Sequence, residues 1–424
     1  MTNISASGGY IIAYPTTEYP LVNRTLNITS ENGTDDAPDY NFVNDNNFYD
    51  KFTPMVKIDQ FITPIWYALG VPGNFLAFVV WMQRQMRHSS GVYLATLALV
   101  DLCFLLLHII HELDEAWGIS TRSNHVLCSG YPVLFLAVQY MSPVLVLGFT
   151  VERYISVCHP FQREKYCTVR RATKVVALLI VISLSLAIIQ GYFYKYYPER
   201  GCAPRDAILV GDTKSLWFIW TWLTEPLVFA LVPLVVLIFN ILVIIEARKL
   251  SKAEPAFLNS KTSQKTSATT IMLLAVSFYL IFTTLPITIV YALYLQFPPG
   301  SFTIQLDEVP ENGVWHRHFV YGTIRTCLQE FAMSHYACKF YIYCITGKAF
   351  RVQLINLFGR ICCKKDRVRG SDYCASKWPS HYSSALEVIS WRRPNIHVLE
   401  SIPQFANQIE IDPFMKMLMT QSVK

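Results

Sequence analysis

Four stretches of this chain, residues 61–82, 126–151, 175–194 and 267–297, contain no Asp, Glu, Lys or Arg. A helix needs about 20 mostly apolar residues to cross a hydrocarbon core of roughly 30 Å, and each stretch is long enough. Segments 91–110, 215–245 and 319–345 reach similar length with few charges. The last holds Arg325, Glu330, His335 and Lys339, but aromatic and aliphatic residues fill the gaps between them. The pattern predicts an all-α membrane protein, a seven-transmembrane helix bundle over residues 61–346. Composition agrees: charged residues make up 16% of the chain and the mean hydropathy is +0.30, where soluble proteins carry roughly 25% charge. A soluble enzyme, a disordered chain and a conventional DNA-binding protein are excluded.

The connections set the orientation. Residues 1–51 carry seven acids and two bases, and residues 110–125 add three acids against one base. The alternate connections are basic: 82–90 is +2, 154–174 is +4, 246–266 is +3 and 347–370 is +6. Lys and Arg concentrate on cytoplasmic loops, so the N-terminus is expected outside the cell and the C-terminus inside, in a multi-pass protein of the plasma membrane. The odd number of crossings this requires is a second reason to keep the seventh segment. The basic face is expected to meet anionic lipid and cytosolic partners rather than nucleic acid. Residues 1–60 read as an extracellular tail bearing four glycosylation sequons, at Asn3, Asn23, Asn27 and Asn32. With no basic leader and apolar run before that tail, the first span is expected to serve as the insertion signal.

Topology also sorts the eleven cysteines. Only Cys128 and Cys202 fall in extracellular connections, where disulfides form. Their pairing is expected, the alternative being two free surface thiols. Cys362 and Cys363 follow a short stretch, residues 347–363, whose Phe350, Val352, Leu354 and Leu357 suit a membrane-lying eighth helix; juxtamembrane cysteines there read as palmitoylation sites. Residues 364–424 form a cytoplasmic tail with serines open to receptor-kinase phosphorylation.

Local motifs make the architecture specific. The first span contains Gly73-Asn74, the second reads LATLALVD ending at Asp101, and the third ends in Glu152-Arg153-Tyr154 followed by ISVCHPF. Cys128 lies 25 residues before Arg153, Pro233 and Pro286 sit in the fifth and sixth spans, and the seventh ends KFYIYCITGKAFR. Over about residues 61–363 the chain resembles the rhodopsin-like (class A) G-protein-coupled receptors. Within them it is most similar to invertebrate neuropeptide receptors of the FMRFamide-receptor kind. The resemblance implies an outward movement of the fifth and sixth helices on activation, a heterotrimeric G-protein partner contacted by Glu152, Arg153, Tyr154, Pro160 and Phe161, and possible engagement of receptor kinase and arrestin. Glu152 is expected to be the resting partner of Arg153.

The same resemblance implies an activation core of Asn74, Asp101, Ser142, Pro233, Pro286, His335, Lys339 and Tyr343. In the family the aspartate at the place of Asp101 coordinates sodium; aligning on Tyr343 sets Lys339 where an asparagine usually stands, which implies a tethered cation in place of the ion. Other departures are Thr284 at the place of a common tryptophan, the absence of any Trp between Trp117 and Trp217, and Ile241 at the place of a common tyrosine, with Asn240 beside it.

The ligand is read by elimination. Phe135 stands where amine receptors carry an aspartate and Met333 where opsins carry the retinal-binding lysine. The outer half instead offers His111, Glu112, Phe135, Gln139, Glu225, Arg325, Gln329 and Glu330. Acidic and aromatic, it suits an extracellular peptide, amidated and basic. A second reading is a small-solute transporter or channel with Asp101, Glu225 and Lys339 along its path, although no internal repeat of the transporter kind is visible. Nothing points to catalysis, a cofactor or a metal: His108 and Cys103, for example, have no assembled partners and read as packing residues.

Overall fold

The computed structural model describes residues 54–119, 121–198, 201–205, 215–253, 261–300 and 308–367. Seven long helices dominate it. They are Met55–Trp81, Ser89–Glu115, His125–Cys158, Val169–Ala187, the fifth in two pieces Leu216–Pro226 and Val232–Ala253, Lys261–Ala292, and Gly313–Thr346. Helices satisfy their backbone groups internally, which lipid requires. The first six are long and apolar enough to cross a membrane. The seventh is too polar to qualify by composition, but Gln329, Glu330, His335 and Lys339 are all buried against its neighbours, so its polarity is spent inside the bundle. Phe61, Phe75, Leu178, Ile238 and Phe282 face outward on the spans, as lipid contacts do.

Several ends are fixed by side-chain caps. Asn124 accepts from the Leu127 amide at 2.8 Å, Thr168 from Arg171 at 3.4 Å, Ser215 from Phe218 at 3.2 Å, and Asn312 from Val314 and Trp315 at 2.9 and 3.2 Å. Such caps each contribute about 0.5–2 kcal/mol. The helices outrun their apolar segments, and the first two do so with buried acids. The first begins at Met55, six residues before the expected start, and the second continues to Glu115 rather than ending at Ile110. Within these extensions Asp59 and Glu112 are buried, although the sequence had set both outside the spans.

The fifth span is not the continuous helix expected. Between Pro226 and Pro233, each lacking an amide donor, residues Leu227–Leu231 widen into a π-turn. The Thr288 hydroxyl of the sixth span donates to the Phe229 carbonyl of that turn at 3.2 Å. Between the fourth and fifth spans lies an antiparallel hairpin, β1 Tyr194–Tyr197 and β2 Gly201–Pro204. Gly201 takes φ +71°, a conformation glycine adopts without a Cβ penalty.

Two apolar cores stack along the bundle. The inner one gathers Trp81, Tyr93, Phe149, Met272, Leu280, Tyr343 and Phe350; the outer one gathers Phe104, Phe135, Tyr140, Tyr291, Met333 and Tyr336. Phe350, expected on the membrane, instead packs within 5.4 Å of both the Trp81 and Tyr343 rings. It opens the helix Lys348–Arg367, whose Val352 and Ile355 are exposed. One unit runs to Leu357 and contains the bundle; of the second, Phe358–Lys424, the described residues are the end of this last helix. The sequons at Asn3, Asn23, Asn27 and Asn32, and the side chains of Cys362 and Cys363, lie outside the described residues.

Close approach of the first, second and seventh spans depends on Gly70. A Cβ there would lie 2.5 Å from Leu105 Cδ1 and 2.9 Å from the Ala337 Cα. Gly70→Ala is therefore expected to destabilise the bundle by about 1–3 kcal/mol through overpacking. A thermal-unfolding midpoint unchanged by the substitution would contradict this packing.

Candidate functional site

Polar side chains of the bundle fall into three levels. At the cytoplasmic end, Ser89 and Ser90 of the second span donate to Glu152 Oε1 at 2.7 and 3.0 Å. Arg153 donates to the Ser90 hydroxyl. Glu152 and Arg153 form no direct ion pair among the described residues, which corrects the expected resting contact; the Ser90 hydroxyl stands between them. Successive helical residues point about 100° apart, so the two charges act on each other electrostatically while the hydrogen bonds between them run through Ser90 of another helix. Cys167 adds a tie from the second cytoplasmic connection, its thiol donating to the Glu152 carbonyl at 3.7 Å. Burial, reinforced by the Glu152 charge, pushes that thiol's pKa up, so it remains a donor. Tyr154 packs on His159 and Phe239 with centroids 5.5 and 5.2 Å away. Pro160 opens the short helix Pro160–Tyr166, a position where its missing amide costs nothing, and Phe161 beside it is 99% exposed.

At mid-bundle, Asn74 donates to the Gly70 and Tyr336 carbonyls at 3.0 and 2.8 Å, joining the first and seventh spans. The Lys339 ammonium lies 2.8 Å from Asp101 Oδ2 and donates to Asp101 Oδ1 at 2.9 Å and Ser142 Oγ at 2.8 Å. The Oδ2 approach is an ion-pair contact outside hydrogen-bond alignment. Ser142 in turn donates to Asp101 Oδ1 at 3.1 Å. Lys339 is 1% exposed and Asp101 0%, so the lysine does not snorkel toward the cytoplasm. His335 is held at 2.6 Å to the Ala332 carbonyl, Pro233 is buried, and Pro286 lies within the sixth helix. Tyr343 is fully buried against Trp81, 5.6 Å between centroids. In the fifth span Asn240 is buried and Ile241 exposed, so the inward position there is polar.

The outer level holds the pocket candidates in two groups. Glu225, 2% exposed, accepts from the Tyr140 hydroxyl at 2.6 Å, which ties the fifth span to the third just ahead of the π-turn. On the opposite side, Thr63 donates to Glu330 Oε1 at 2.8 Å. Asp59, Glu112 and Glu330 lie near enough to act on one another electrostatically, and half-buried Arg325 acts on Asp59. Between the groups runs an aromatic layer: Phe104 stacks on Tyr336 at 3.8 Å, His111 lies 5.5 Å from Phe135, and Tyr67 hydroxyl meets His108 Nδ1 at 2.5 Å. Gln139 and Gln329 are buried at the same level. Sequence reasoning missed Asp59, Thr63 and Tyr140. The first two sit one helical turn apart, with Gly70 and Asn74 farther along the same buried face, a spacing visible in the sequence.

Above this level the Cys128–Cys202 disulfide, spanning 74 residues of sequence, fastens β2 to the first turn of the third span. The Ser129 hydroxyl donates to the Tyr194 carbonyl at 3.2 Å, and His125 packs edge-on against Tyr196 at 5.2 Å. The neighbouring connection is closed by an ion pair between Asp114 and Arg122.

Comparison with known proteins extends the geometry. Human neuromedin-U receptor 2 is 29% identical over 192 residues, covering 44% of this chain and 46% of that receptor. The Caenorhabditis elegans FMRFamide peptide receptor frpr-18 is 30% identical over 196 residues, 43% of this chain and 45% of the relative. The Drosophila melanogaster sex peptide receptor is 25% identical over 340 residues, 72% and 73% of the two chains. The matches to neuromedin-U receptors span less than half the length of those receptors. The family model for the 7 transmembrane receptor (rhodopsin family) matches residues 73–328, the stretch that contains Asp101 and Ser142, the Glu152-Arg153-Tyr154 turn and both cysteines of the disulfide. This chain belongs to the rhodopsin family of seven-transmembrane receptors.

Proposed function

We propose that the chain is a plasma-membrane receptor for an extracellular neuropeptide and that it activates a heterotrimeric G protein. The observation that carries the ligand class is a charge imbalance. Inside the outer half of the spans, the buried carboxyls Asp59 and Glu330 have one half-buried base, Arg325, near them among the described residues, and Glu225 is buried in the other group with the Tyr140 hydroxyl as its partner. Desolvated carboxylates gain most from a cationic partner held in good hydrogen-bonding geometry, so the reading favours a basic peptide, and an amidated end would add no competing negative charge. The relatives above are named for neuromedin U, FMRFamide peptides and sex peptide, which supports a peptide over a solute path. At the other end, Arg153 and the exposed Phe161 supply the G-protein contact, with the N-terminus outside and the basic connections inside. The sequons would carry glycans, Cys362 and Cys363 palmitate, and the tail would serve receptor kinase and arrestin.

The test is a screen of amidated neuropeptides on cells expressing the chain with a promiscuous G protein. A basic peptide is expected to elicit a response, and Glu330→Gln to weaken it about 30-fold or more, the equivalent of roughly 2 kcal/mol for a lost desolvated charge pair. Responses confined to acidic or uncharged peptides, or an unshifted Glu330→Gln curve, would refute the charge argument.

A further inference from the structure

The carboxylate of Asp101 sits at 0% exposure inside a membrane bundle. An ionised group in such a place requires a counter-charge, and there are two ways to supply one: a free monovalent cation drawn into the polar chamber, or a cation fixed to the chain. The ammonium of Lys339 reaches three oxygens there, Asp101 Oδ1 at 2.9 Å, Asp101 Oδ2 at 2.8 Å and Ser142 Oγ at 2.8 Å. Two of them, Asp101 Oδ1 and Ser142 Oγ, accept its N–H groups, and the third is an ion-pair contact. Its side also lies 5.5 Å from the Tyr336 ring centroid, within cation–π range. The other titratable group of this level, His335, is engaged by the Ala332 carbonyl. The three members of the cluster come from the second, third and seventh spans.

We infer that Lys339 is a built-in cation: it fills the position where Asp101 and Ser142 would otherwise hold a free sodium ion, and so makes the bundle indifferent to sodium. Like-charge repulsion at this separation, in a medium of low dielectric, excludes a second cation beside the ammonium. The seventh span is thereby tied to the second and third without an exchangeable ion, and Lys339 acts as a positioning residue. Removing its charge while keeping its bulk leaves an uncompensated buried carboxylate with one hydroxyl partner, which is a site for a small monovalent cation.

The experiment uses the full chain in nanodiscs of neutral lipid and reads thermal unfolding in sodium chloride and in N-methylglucamine chloride at equal ionic strength. Wild type is expected to unfold at the same temperature in both salts. Lys339→Met is expected to unfold roughly 10 °C lower and to recover part of that loss in sodium alone. The double variant Asp101→Asn/Lys339→Met, with neither charge, is expected to fold and to ignore the choice of cation. Sodium-specific stabilisation of wild type would overturn the inference, as would a folded Lys339→Met protein that is blind to sodium. If Lys339→Met yields no folded protein, the double variant decides: folding supports the orphaned charge as the cause, and failure to fold overturns it. No ligand or G protein enters these readouts, so the result stands apart from the peptide-receptor reading.

Discussion

Cys202→Ser is expected to remove about 2–5 kcal/mol of stability and most of the receptor from the cell surface. The disulfide closes a loop of 74 residues, for which the chain-entropy argument gives on the order of 4 kcal/mol. Its structural effect is local and large. Cys128 is fully buried at the outer end of the third span, and the hairpin it anchors also meets that span through the Ser129–Tyr194 hydrogen bond and the His125–Tyr196 contact. A neutral hydrogen bond contributes only about 1 kcal/mol, so the Ser129–Tyr194 bond does not replace the covalent tie. Surface labelling and thermal unfolding, with and without reductant, check the prediction. Reductant should bring wild type to the Cys202→Ser level and leave the variant unmoved. The double substitution at Cys128 and Cys202 should cost little more than either single one, since the two act as a unit. A variant that keeps wild-type stability would mean the bond contributes nothing.

The spans and the disulfide were legible because lipid and redox compartment act on composition, and composition is written directly in the chain. Charge-free runs located the helices, and sorting cysteines by side left one external pair. The ends were less legible. A hydropathy reading assigns Asp59 to water and ends the second span before Glu112, whereas helical periodicity sets Asp59 and Thr63 on the face that later carries Gly70 and Asn74, all buried. Lateral burial, unlike depth in the membrane, depends on which helix stands alongside, and no single segment encodes that. The same limit explains the Glu152–Arg153 contact. Adjacent residues in a sequence suggest a pair, but on a helix they diverge, and Ser90, 62 residues before Glu152, completes the link. Tyr140 was invisible as a partner of Glu225 for a related reason: the π-turn after Pro226 changes which way the fifth span presents its side chains. Lys339 and Asp101 could be set at one level because the tyrosine motif fixed the register of the seventh span.

Arg153→Ala is expected to abolish both basal and stimulated G-protein activation while leaving surface expression near wild type. The guanidinium is tethered through the Ser90 hydroxyl, with no direct pair to Glu152, so alanine leaves Glu152 with its two serine donors at 2.7 and 3.0 Å. The folded state loses the charge attraction between the two residues but keeps the hydrogen bonds of Glu152, a smaller loss than the breaking of a hydrogen-bonded buried ion pair. Signalling loses the one cation of the Glu152-Arg153-Tyr154 turn that is proposed to swing toward the G protein, beside the exposed Phe161. Ser90→Ala separates restraint from function. It removes the bridge yet keeps both charges, so the arginine is freer to leave its resting place and ligand-independent second messenger should rise several-fold. The two substitutions thus move basal signalling in opposite directions at equal surface density. Retained signalling in Arg153→Ala would end the coupling mechanism. Unchanged basal activity in Ser90→Ala, with Arg153→Ala silent, would show that the serine bridge restrains nothing and that the resting state is held elsewhere in the bundle.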